Sequence, residues 1–317
     1  MNILITGVAG FIGYSYATFL LNKKIKVIGI DNVNNYYSIK LKKDRLNKLK
    51  QYKLFKFYKF DLRNTKQLDL IFKKNKFDAI YHFAAQAGVR YSVEKPRKYI
   101  ESNVDGFFNV LEKVKEKKIK KFFFASSSSV YGDSKKFPLN EKDYLQPTNT
   151  YSLSKKFNED LAKIYNKFYN VNSVALRFFT VYGEWGRPDM FYSKVLDAAF
   201  KKHTLYINNF GNHSRDFTYI KDVNLVLYNL LSCKTISGFD ILNICSNKPW
   251  NIIKLVKFIE KYSGTIAICK RKIQLADVMK THGDNKKIKI NKLIKNFTPI
   301  ETGIKSTLEW YKKYNNF

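Results

Sequence analysis

The chain has 317 residues, and its formal net charge at pH 7 is +32. That length suits one large α/β unit with a smaller one attached. No stretch is long and apolar enough to span a bilayer, and three cysteines are too few and too scattered for a disulfide framework or a zinc site. We therefore expect a cytoplasmic protein with no metal and no membrane partner.

The positive charge comes mainly from lysine, which supplies 50 of the 58 basic residues and is spread along the chain. A basic face usually indicates nucleic acid or an anionic membrane. Asn, Ile, Tyr and Phe are also abundant here, as an AT-rich coding sequence would supply. We therefore predict no nucleic-acid partner. Four of the eight arginines lie in sequence motifs where a planar fork can bind phosphate or carboxylate: Arg90, Arg177, Arg187 and Arg215.

The N-terminal segment has the pattern of a dinucleotide-binding loop. An apolar run of strand length leads into a turn with glycines at positions 7, 10 and 13, and residues 12–21 continue as a helix. Glycines permit the tight turn and let a pyrophosphate approach backbone N–H groups at the helix N-terminus. The predicted contacts in this loop are Gly7, Gly10, Phe11, Ile12 and Gly13.

A second predicted strand, residues 26–30, ends at Asp31, 18 residues after Gly13. An acidic residue at this position suits the ribose hydroxyls of NAD and repels the additional phosphate of NADP. We therefore predict NAD as the cofactor, with Asp31 and Asn32 beside its ribose.

Strands and helices alternate through the following segment. Further strands are predicted near residues 54–58, 78–83, 121–125 and 174–178, and one of the helices between them covers about residues 99–117. Repeated βα units with apolar strands form a parallel, doubly wound sheet, whose ligands bind beyond the carboxyl ends of the strands. The predicted fold class is therefore α/β, a Rossmann-type sheet with a smaller C-terminal substrate-binding domain.

We predict two domains from this pattern. The NAD-binding domain would cover residues 1–180 and about 213–242. The smaller substrate-binding domain would cover about 181–212 and 243–317.

Tyr151 and Lys155 lie four residues apart on a predicted helix, 24 residues after Ser127. Positions i and i+4 share a helix face, so the phenol and the ammonium can point into one cleft. A lysine cation and a nicotinamide ring nearby would lower the pKa of the tyrosine. Ser127 could then share the proton with a sugar or alcohol hydroxyl, which makes Tyr151 the predicted general base.

Together these motifs resemble the extended short-chain dehydrogenase/reductase family, and in particular its NAD-dependent nucleotide-sugar epimerases. The resemblance covers essentially the whole chain. It rests on the glycine loop, Asp61-Leu62, His82-Phe83-Ala84-Ala85, Asn103, Ser126-Ser127-Ser128 and Tyr151-x-x-x-Lys155. Residues 183–190, Gly-Glu-Trp-Gly-Arg-Pro-Asp-Met, look like the Gly-Pro-Trp-Gly-Arg-Pro-Asp-Met segment of UDP-glucuronate 4-epimerases.

The resemblance implies a role for each matching residue. Tyr151 would be the base, Lys155 would hold the nicotinamide ribose, and Ser127, with Ser128 beside it, would hydrogen-bond the reacting hydroxyl. Further implied cofactor contacts are Asp61, Leu62, Ala84, Ala85, Gln86, Asn103 and Phe178. The implied substrate contacts are Thr180, Arg187 and Arg90 at a sugar carboxylate and Arg215 and Asp277 at the uridine diphosphate.

The implied reaction converts UDP-glucuronate to UDP-galacturonate through a transient 4-keto sugar. Sister enzymes that dehydrate or decarboxylate carry an acidic residue beside the strand-end serine or threonine, where this chain has serine, and this favours epimerisation. The family resemblance also implies a homodimer, because two helices often pair between its subunits.

Two departures from the family pattern bear on the substrate. Glu184 replaces the usual proline, and Gln274-Leu275-Ala276-Asp277 replaces Gln-Pro-Gly-Asp. The first puts an acid near the expected carboxylate pocket. A 4-epimerase for UDP-N-acetylglucosamine or its uronic acid therefore stays open as an alternative, as does a non-catalytic relative that binds RNA.

Overall fold

The computed structural model describes residues 1–233, 237–273 and 278–317. The strands are β1 (Asn2–Thr6), β2 (Lys26–Asp31), β3 (Phe55–Lys59), β4 (Ala79–His82), β5 (Phe122–Ser127), β6 (Ser173–Phe178), β7 (Thr180–Tyr182), β8 (Leu205–Ile207), β9 (Ser214–Tyr219), β10 (Phe239–Ile244), β11 (Pro249–Asn251) and β12 (Ile268–Lys270). The α-helices are α1 (Phe11–Asn22), α2 (Ile39–Lys50), α3 (Thr65–Lys74), α4 (Val89–Glu94), α5 (Pro96–Tyr99), α6 (Gly106–Glu116), α7 (Thr150–Tyr169), α8 (Phe191–Lys201), α9 (Ile220–Leu230), α10 (Ile252–Ser263), α11 (Lys286–Ile290) and α12 (Ile300–Asn315).

The central sheet has the strand order β10-β6-β5-β4-β1-β2-β3, and each neighbouring pair is parallel. The chain builds outward from β1 to β3 and then returns to place β4 on the other side of β1. Such a reversal opens a crevice at the carboxyl ends of the two strands. The predicted doubly wound α/β fold is confirmed, and the residues that come after β1 and β4 lie at that crevice.

Side chains of β1 alternate between two apolar layers, as the pleat of a strand requires. Ile3 and Ile5 pack in the layer that contains Tyr16 of α1, whereas Leu4 packs in the layer that contains Phe107 of α6. All three β1 side chains are completely buried. Helices therefore cover both faces of the sheet, which leaves its carboxyl edge as the place where a ligand can enter.

Two smaller sheets extend this edge. Strand β9 pairs with β7 and β11, and β12 pairs with β8. The predicted boundary at residues 213–242 assigned β9 to the cofactor-binding domain, but β9 hydrogen-bonds to β7 rather than to the central sheet. Strand β10, by contrast, completes the central sheet beside β6. The division of the chain into two domains stays a prediction.

The helix predicted at residues 99–117 consists of α5, a π-helical turn at Ile100–Asp105 and α6. Turns of this kind insert a residue into a helix and often mark functional sites. The sequence pattern did not indicate α4, which carries Arg90. No helix in the three described stretches has both the length and the apolar character needed to cross a membrane.

A buried ion pair joins β5, β6 and α7 beneath the sheet edge. Arg177 of β6 donates from Nε and Nη2 to the two carboxylate oxygens of Glu159 at 2.9 and 2.7 Å. Ser126 of β5 donates to the same carboxylate at 2.5 Å. Both charged side chains are almost fully buried. The arginine fork in this motif therefore binds a carboxylate of the protein itself.

We expect Arg177→Met to destabilise the protein by about 3–5 kcal/mol, because Glu159 would remain buried without its partner. Urea unfolding followed by circular dichroism measures this change. The double variant Arg177→Met/Glu159→Gln removes the stranded charge and should recover a large part of the loss. A single variant as stable as the parent would contradict the assigned role of the pair.

Candidate active site

A cavity of about 1120 Å³ runs along the carboxyl ends of the central strands and continues to the smaller sheets. Every site residue predicted in the described part of the chain lines this cavity, apart from Asn103. Asp277 and the Gln274-Leu275-Ala276 departure lie outside the described residues. The parallel topology thus brings residues as distant in sequence as Gly7 and Arg215 to one wall.

The loop requires glycine at two positions, because a Cβ atom there would clash with neighbouring backbone atoms. Gly7 has a φ of +73°, and a Cβ there would lie 2.6 Å from the backbone nitrogen of Ala84. A Cβ on Gly13 would lie 2.2 Å from the carbonyl oxygen of Gly7. Helix α1 begins directly after Gly10, which has no side chain to cap the helix N-terminus. The loop therefore fits the pyrophosphate of a dinucleotide, which can bind those N–H groups.

Asp31 lies at the end of β2 beside this loop. Its two carboxylate oxygens accept the N–H groups of Ala9 at 3.0 Å and Val33 at 2.7 Å. Burial raises the pKa of Asp31, and the hydrogen bond from Val33 and the positive charge of Lys42 oppose that rise. The acid is thus held in place where the ribose of a dinucleotide would lie relative to the loop.

Asn32 and Asp61 continue the wall from β2 to the segment after β3. Asn32 Nδ2 donates to Asp61 Oδ2 at 2.9 Å, and Arg63 Nε donates to Asp61 Oδ1 at 2.9 Å. Burial acts to raise the pKa of Asp61, but the hydrogen bonds from Arg63 bring it below its ordinary value. Asp61 is therefore an ionised anchor for Asn32, and Leu62 next to it lines the same part of the cavity.

Lys42 and Arg45 of α2 are site residues that sequence reasoning missed, since they look like two more cations in a lysine-rich helix. Both are buried. Lys42 Nζ donates to the carbonyl and the side-chain oxygens of Asn34, each at 2.8 Å. Burial lowers the pKa of Lys42 to about 8 against the opposing charge of Asp31. These cations balance the buried acid of the cofactor site.

Asn103 was predicted as a cofactor contact, and the structure gives it another position. Its Oδ1 accepts the N–H of Gln86 at 2.7 Å, and its Nδ2 donates to the carbonyl of Gln86 and to Ser154 Oγ. All its hydrogen-bonding groups are engaged behind the cavity wall, because the π-helical turn directs it towards the end of β4. Asn103 thus braces the segment containing Ala84, Ala85 and Gln86, which does line the cavity.

Ser127, Tyr151 and Lys155 meet at the centre of the cavity, as predicted from their spacing. Ser127 ends β5, opposite Phe178 of β6 in the strand register, and its Oγ accepts the N–H of Ser129 at 3.1 Å. Lys155 Nζ donates to the carbonyl of Ala125 at 2.8 Å and lies 6.0 Å from the centre of the Tyr151 ring. Ser128, which begins a 3₁₀ turn, and Phe178 also line the cavity.

The protonation of this group depends on its burial. Burial raises the pKa of Tyr151, while the Ser127 hydroxyl and the Arg187 charge act to lower it. The predicted lowering of the Tyr151 pKa counted on the nicotinamide ring of bound NAD as well as on Lys155, and it stays a prediction. Burial also lowers the pKa of Lys155 to about 8, and the Glu159 carboxylate opposes that change. Lys155 therefore stays largely protonated at neutral pH.

Arg187 lies at the cavity wall next to this group, but its fork already holds a carboxylate. Nε and Nη2 donate to the two oxygens of Asp189 at 3.0 and 2.5 Å, and Tyr36 donates to Asp189 Oδ2 at 3.1 Å. Although burial alone would lower the pKa of Arg187, Asp189 raises it above its ordinary value. Thr180, which begins β7, lines the same wall. The side chain is thus oriented before any ligand arrives.

The outer part of the cavity is rich in cations. Arg215 Nη1 donates to the carbonyl of Met279 at 3.1 Å, and the Arg271 guanidinium lies 3.6 Å from the centre of the Tyr206 ring. Arg90, on α4, also lines the cavity. No sequence motif pointed to Arg271 or Tyr206, because their meeting depends on the pairing of β8 with β12.

Glu184, the departure from the family pattern, does not line the cavity. Its Oε1 accepts the Tyr219 hydroxyl at 2.8 Å and pairs with Lys221 Nζ at 3.1 Å. Trp185, the next residue, has a φ of +60° and turns the chain, so that Arg187 faces the cavity. The expectation that Glu184 places an acid near the carboxylate pocket is therefore wrong, and the acid beside Arg187 at the cavity wall is Asp189.

Comparison with known proteins agrees with this geometry. The family model described as GDP-mannose 4,6 dehydratase matches residues 4–315. A UDP-glucuronate 4-epimerase of Thermodesulfobacterium geofontis is 39% identical over 98% of this chain and 96% of that relative. The crystal structure of UDP-glucuronic acid 4-epimerase from Bacillus cereus, in complex with UDP-glucuronic acid and NAD, superposes with a TM-score of 0.92 at 29% identity, covering 99% of this chain and 100% of that one.

A second solved structure shares the fold. It is UDP-N-acetylglucosamine 4-epimerase from Methanobrevibacter ruminantium in complex with UDP-N-acetylmuramic acid, with a TM-score of 0.90 at 24% identity over 99% of this chain and 98% of that one. The match over residues 4–315 and the identity of 39% decide the family. The chain belongs to the GDP-mannose 4,6-dehydratase family, within the extended short-chain dehydrogenase/reductases.

Proposed function

We propose that this chain is an NAD-dependent UDP-sugar 4-epimerase that converts UDP-glucuronate to UDP-galacturonate. The observation that carries the proposal is the meeting of Tyr151, Ser127 and Lys155 in one cavity with Arg187 on the adjoining wall. The first three residues suit oxidation of a sugar hydroxyl. Two of the five N–H groups of Arg187 bind Asp189, and the remaining ones would meet a sugar carboxylate. The likeness to UDP-glucuronate 4-epimerases supports the same interpretation.

In the proposed mechanism Tyr151 takes the proton of the 4-hydroxyl, partly through Ser127, as a general base within hydrogen-bond reach. When bound, NAD supplies the hydride acceptor and a positive ring that favours the phenolate of Tyr151. Lys155, anchored on the Ala125 carbonyl, would hold the ribose and keep a positive charge near the phenol. Once the 4-keto sugar has turned over within the cavity, carbon 4 would take back the hydride on its opposite face and Tyr151 would return the proton to the oxygen, which leaves the opposite configuration at carbon 4.

The proposed cofactor and substrate contacts lie along the cavity wall. The glycine loop and Asp31 would hold the dinucleotide, while Asn103 would act indirectly through Gln86. The uridine diphosphate would lie at the outer cations, including Arg215 and Arg271. With the dinucleotide at one end of the cavity and the uridine diphosphate at the other, the sugar would lie between Tyr151 and Arg187.

Epimerisation is favoured over dehydration by the residue beside Ser127. The related dehydratases and decarboxylases carry an acid at this place, and this chain has Ser128. The rival substrate, UDP-N-acetylglucosamine, has no carboxylate for Arg187 and Thr180. The structure with that chemistry is 24% identical to this chain and supports the shared fold alone.

We expect purified protein to convert UDP-glucuronate to its 4-epimer, and Tyr151→Phe to abolish turnover while retaining NAD. The reason is that phenylalanine keeps the ring but has no proton acceptor. Nuclear magnetic resonance of the sugar measures the epimer for UDP-glucuronate, UDP-N-acetylglucosamine and UDP-glucose offered separately. Activity above a few per cent in the variant would remove Tyr151 as the base, and a preference for UDP-N-acetylglucosamine would favour the alternative.

Replacing Asp31 by serine should shift cofactor preference from NAD towards NADP. The carboxylate that repels a 2′-phosphate would be gone, and the buried cations Lys42 and Arg45 would remain. Calorimetry of cofactor-free protein should show the ratio of the NADP and NAD dissociation constants falling by about tenfold or more, since one charge contact is worth at least about 1.4 kcal/mol. Asp44→Ser, which removes an acid elsewhere on α2, is the matched control and should leave the ratio unchanged.

We also propose that the protein forms a homodimer through α7. Apolar side chains at helical spacing on this helix are exposed: Leu153, Phe157, Ile164 and Phe168. Exposed Phe108 of α6 extends this apolar face. A contiguous exposed apolar stripe of this kind favours association with a matching surface, and a twofold dimer offers each subunit the same stripe. A cytoplasmic location likewise stays a prediction from the cysteine pattern.

Phe157→Glu should convert the dimer to a monomer, because two carboxylates would be buried across the twofold contact. Light scattering after size exclusion measures the molar mass against the chain mass of 37.3 kDa. Ile290→Glu introduces the same charge at an exposed apolar position of α11 and should remain dimeric. If the parent is itself monomeric, the proposed interface is wrong.

A further inference from the structure

Arg45 lies on a lysine-rich helix, yet its side chain is fully buried. Its Nη1 donates to the carbonyl of Ala9 at 2.8 Å and to the Tyr37 hydroxyl at 2.7 Å. Its Nη2 donates to the carbonyls of Trp185 and Gly186 at 2.5 and 3.1 Å. One guanidinium thus binds three separate segments of the chain.

The first segment is the glycine loop. Ala9 lies between Gly7 and Gly10, and its N–H donates to Asp31 while its carbonyl accepts from Arg45. Both peptide groups of this residue are therefore fixed. The backbone that would receive the cofactor's pyrophosphate is in direct contact with Arg45.

The second segment is the turn that precedes Arg187. Trp185 has a φ of +60°, which is uncommon for a bulky residue. A Cβ on Gly186 would lie 1.6 Å from the Tyr192 hydroxyl, so the chain is also closely packed there. A turn in this conformation persists only where its surroundings hold it. Arg45 binds the carbonyls of both residues immediately before Arg187.

Other contacts hold the side chains of this turn. The Trp185 ring lies 5.3 Å from that of Tyr14 and 5.4 Å from that of Trp310, and Glu184 accepts from Tyr219. In the described residues, the hydrogen bonds that join the turn to the glycine loop are those of Arg45. The hydrogen-bonded link between the two loops in these residues therefore runs through this side chain.

We propose that Arg45 is a positioning residue for the substrate carboxylate, because it fixes the Arg187 turn against the cofactor-binding loop. This inference rests on the proposed epimerisation of UDP-glucuronate. A planar guanidinium presents paired N–H groups in a fixed geometry and binds both loops at once. A lysine ammonium keeps the charge but does not set the distance between two sets of carbonyls.

Loss of carbon dioxide from the 4-keto sugar measures this positioning, because the 4-keto uronic acid is a β-keto acid. When the carboxylate bond aligns with the carbonyl π system, the bond from carbon 5 to the carboxyl carbon breaks. Its electron pair enters the carbonyl as an enolate, carbon dioxide leaves, and a proton adds at carbon 5 to give a 4-keto pentose. Arg187 prevents this alignment only if its own position is fixed. Asp189 orients its side chain, and Arg45 holds the turn from which that side chain projects.

The test compares Arg45→Lys and Arg45→Gln with the parent in the NAD-loaded protein. Carbon dioxide release and UDP-galacturonate formation from UDP-glucuronate are measured in the same reaction. We expect the ratio of carbon dioxide to epimer, and the KM for UDP-glucuronate, to rise about tenfold, as for the loss of one oriented charged contact. Lys43→Gln removes a charge from an exposed position of the same helix and should behave like the parent.

A double variant separates positioning from stability. If Arg45 acts through Arg187, Arg45→Lys/Arg187→Lys should release carbon dioxide in the same proportion as Arg187→Lys alone. If the two substitutions instead raise the carbon dioxide ratio by the product of their separate effects, the proposal is overturned. It is also overturned if the Arg45 variants lose thermal stability and total turnover while the ratio of carbon dioxide to epimer stays unchanged. Should Arg45→Gln fail to fold, Arg45→Lys supplies the ratio. A parent that does not epimerise UDP-glucuronate overturns the proposed function itself and the inference with it.

Discussion

The Glu159 carboxylate lies where β5, β6 and α7 meet, and the geometry of the cavity depends on it. It accepts from Ser126 and from both sides of the Arg177 fork, and it opposes the lowering of the Lys155 pKa. A buried pair of this kind adds little net stability compared with apolar packing, but losing one partner is costly. Its value here is geometric, because the same three elements position residues of the cavity. Strand β5 ends at Ser127, β6 ends at Phe178, and α7 carries Tyr151.

Local balance of charge governs the rest of the site in a chain of net charge +32. Each buried cation of the cavity has its own oxygen partners: Asp189 for Arg187, backbone carbonyls for Arg45 and Lys155, and Asn34 for Lys42. Burying an unpaired charge costs several kcal/mol, on the order of the whole stability of a domain. The exposed lysines carry no such requirement, which is why the total charge says little about the reaction.

Spacing within one turn or one helix was enough to predict the centre of the site. The glycine loop, Asp31 and the Tyr151–Lys155 pair depend on local geometry, and the parallel topology then brings the strand ends together. Hydrogen-bond partners that lie far apart in the sequence could not be predicted from spacing. Arg45 looks like any cation of α2, and the inward contacts of Asn103 depend on a π-helical turn. The pairing of Arg187 with Asp189 and the position of Glu184 away from the cavity wall depend on a turn with Trp185 at positive φ.

The turn at residues 184–186, before Arg187, bears on how a family named after a dehydratase can include a proposed epimerase. In the proposed function, the central sheet and Tyr151 as base would provide one reaction, removal of hydrogen from carbon 4. The fate of the resulting ketone depends on two places that the fold leaves variable: the residue beside Ser127 and the turn that carries Arg187. With Ser128 at the first, the site has no added acid to drive elimination. At the second, Glu184 binds Tyr219 and Lys221 and does not line the cavity, while Asp189 orients the arginine.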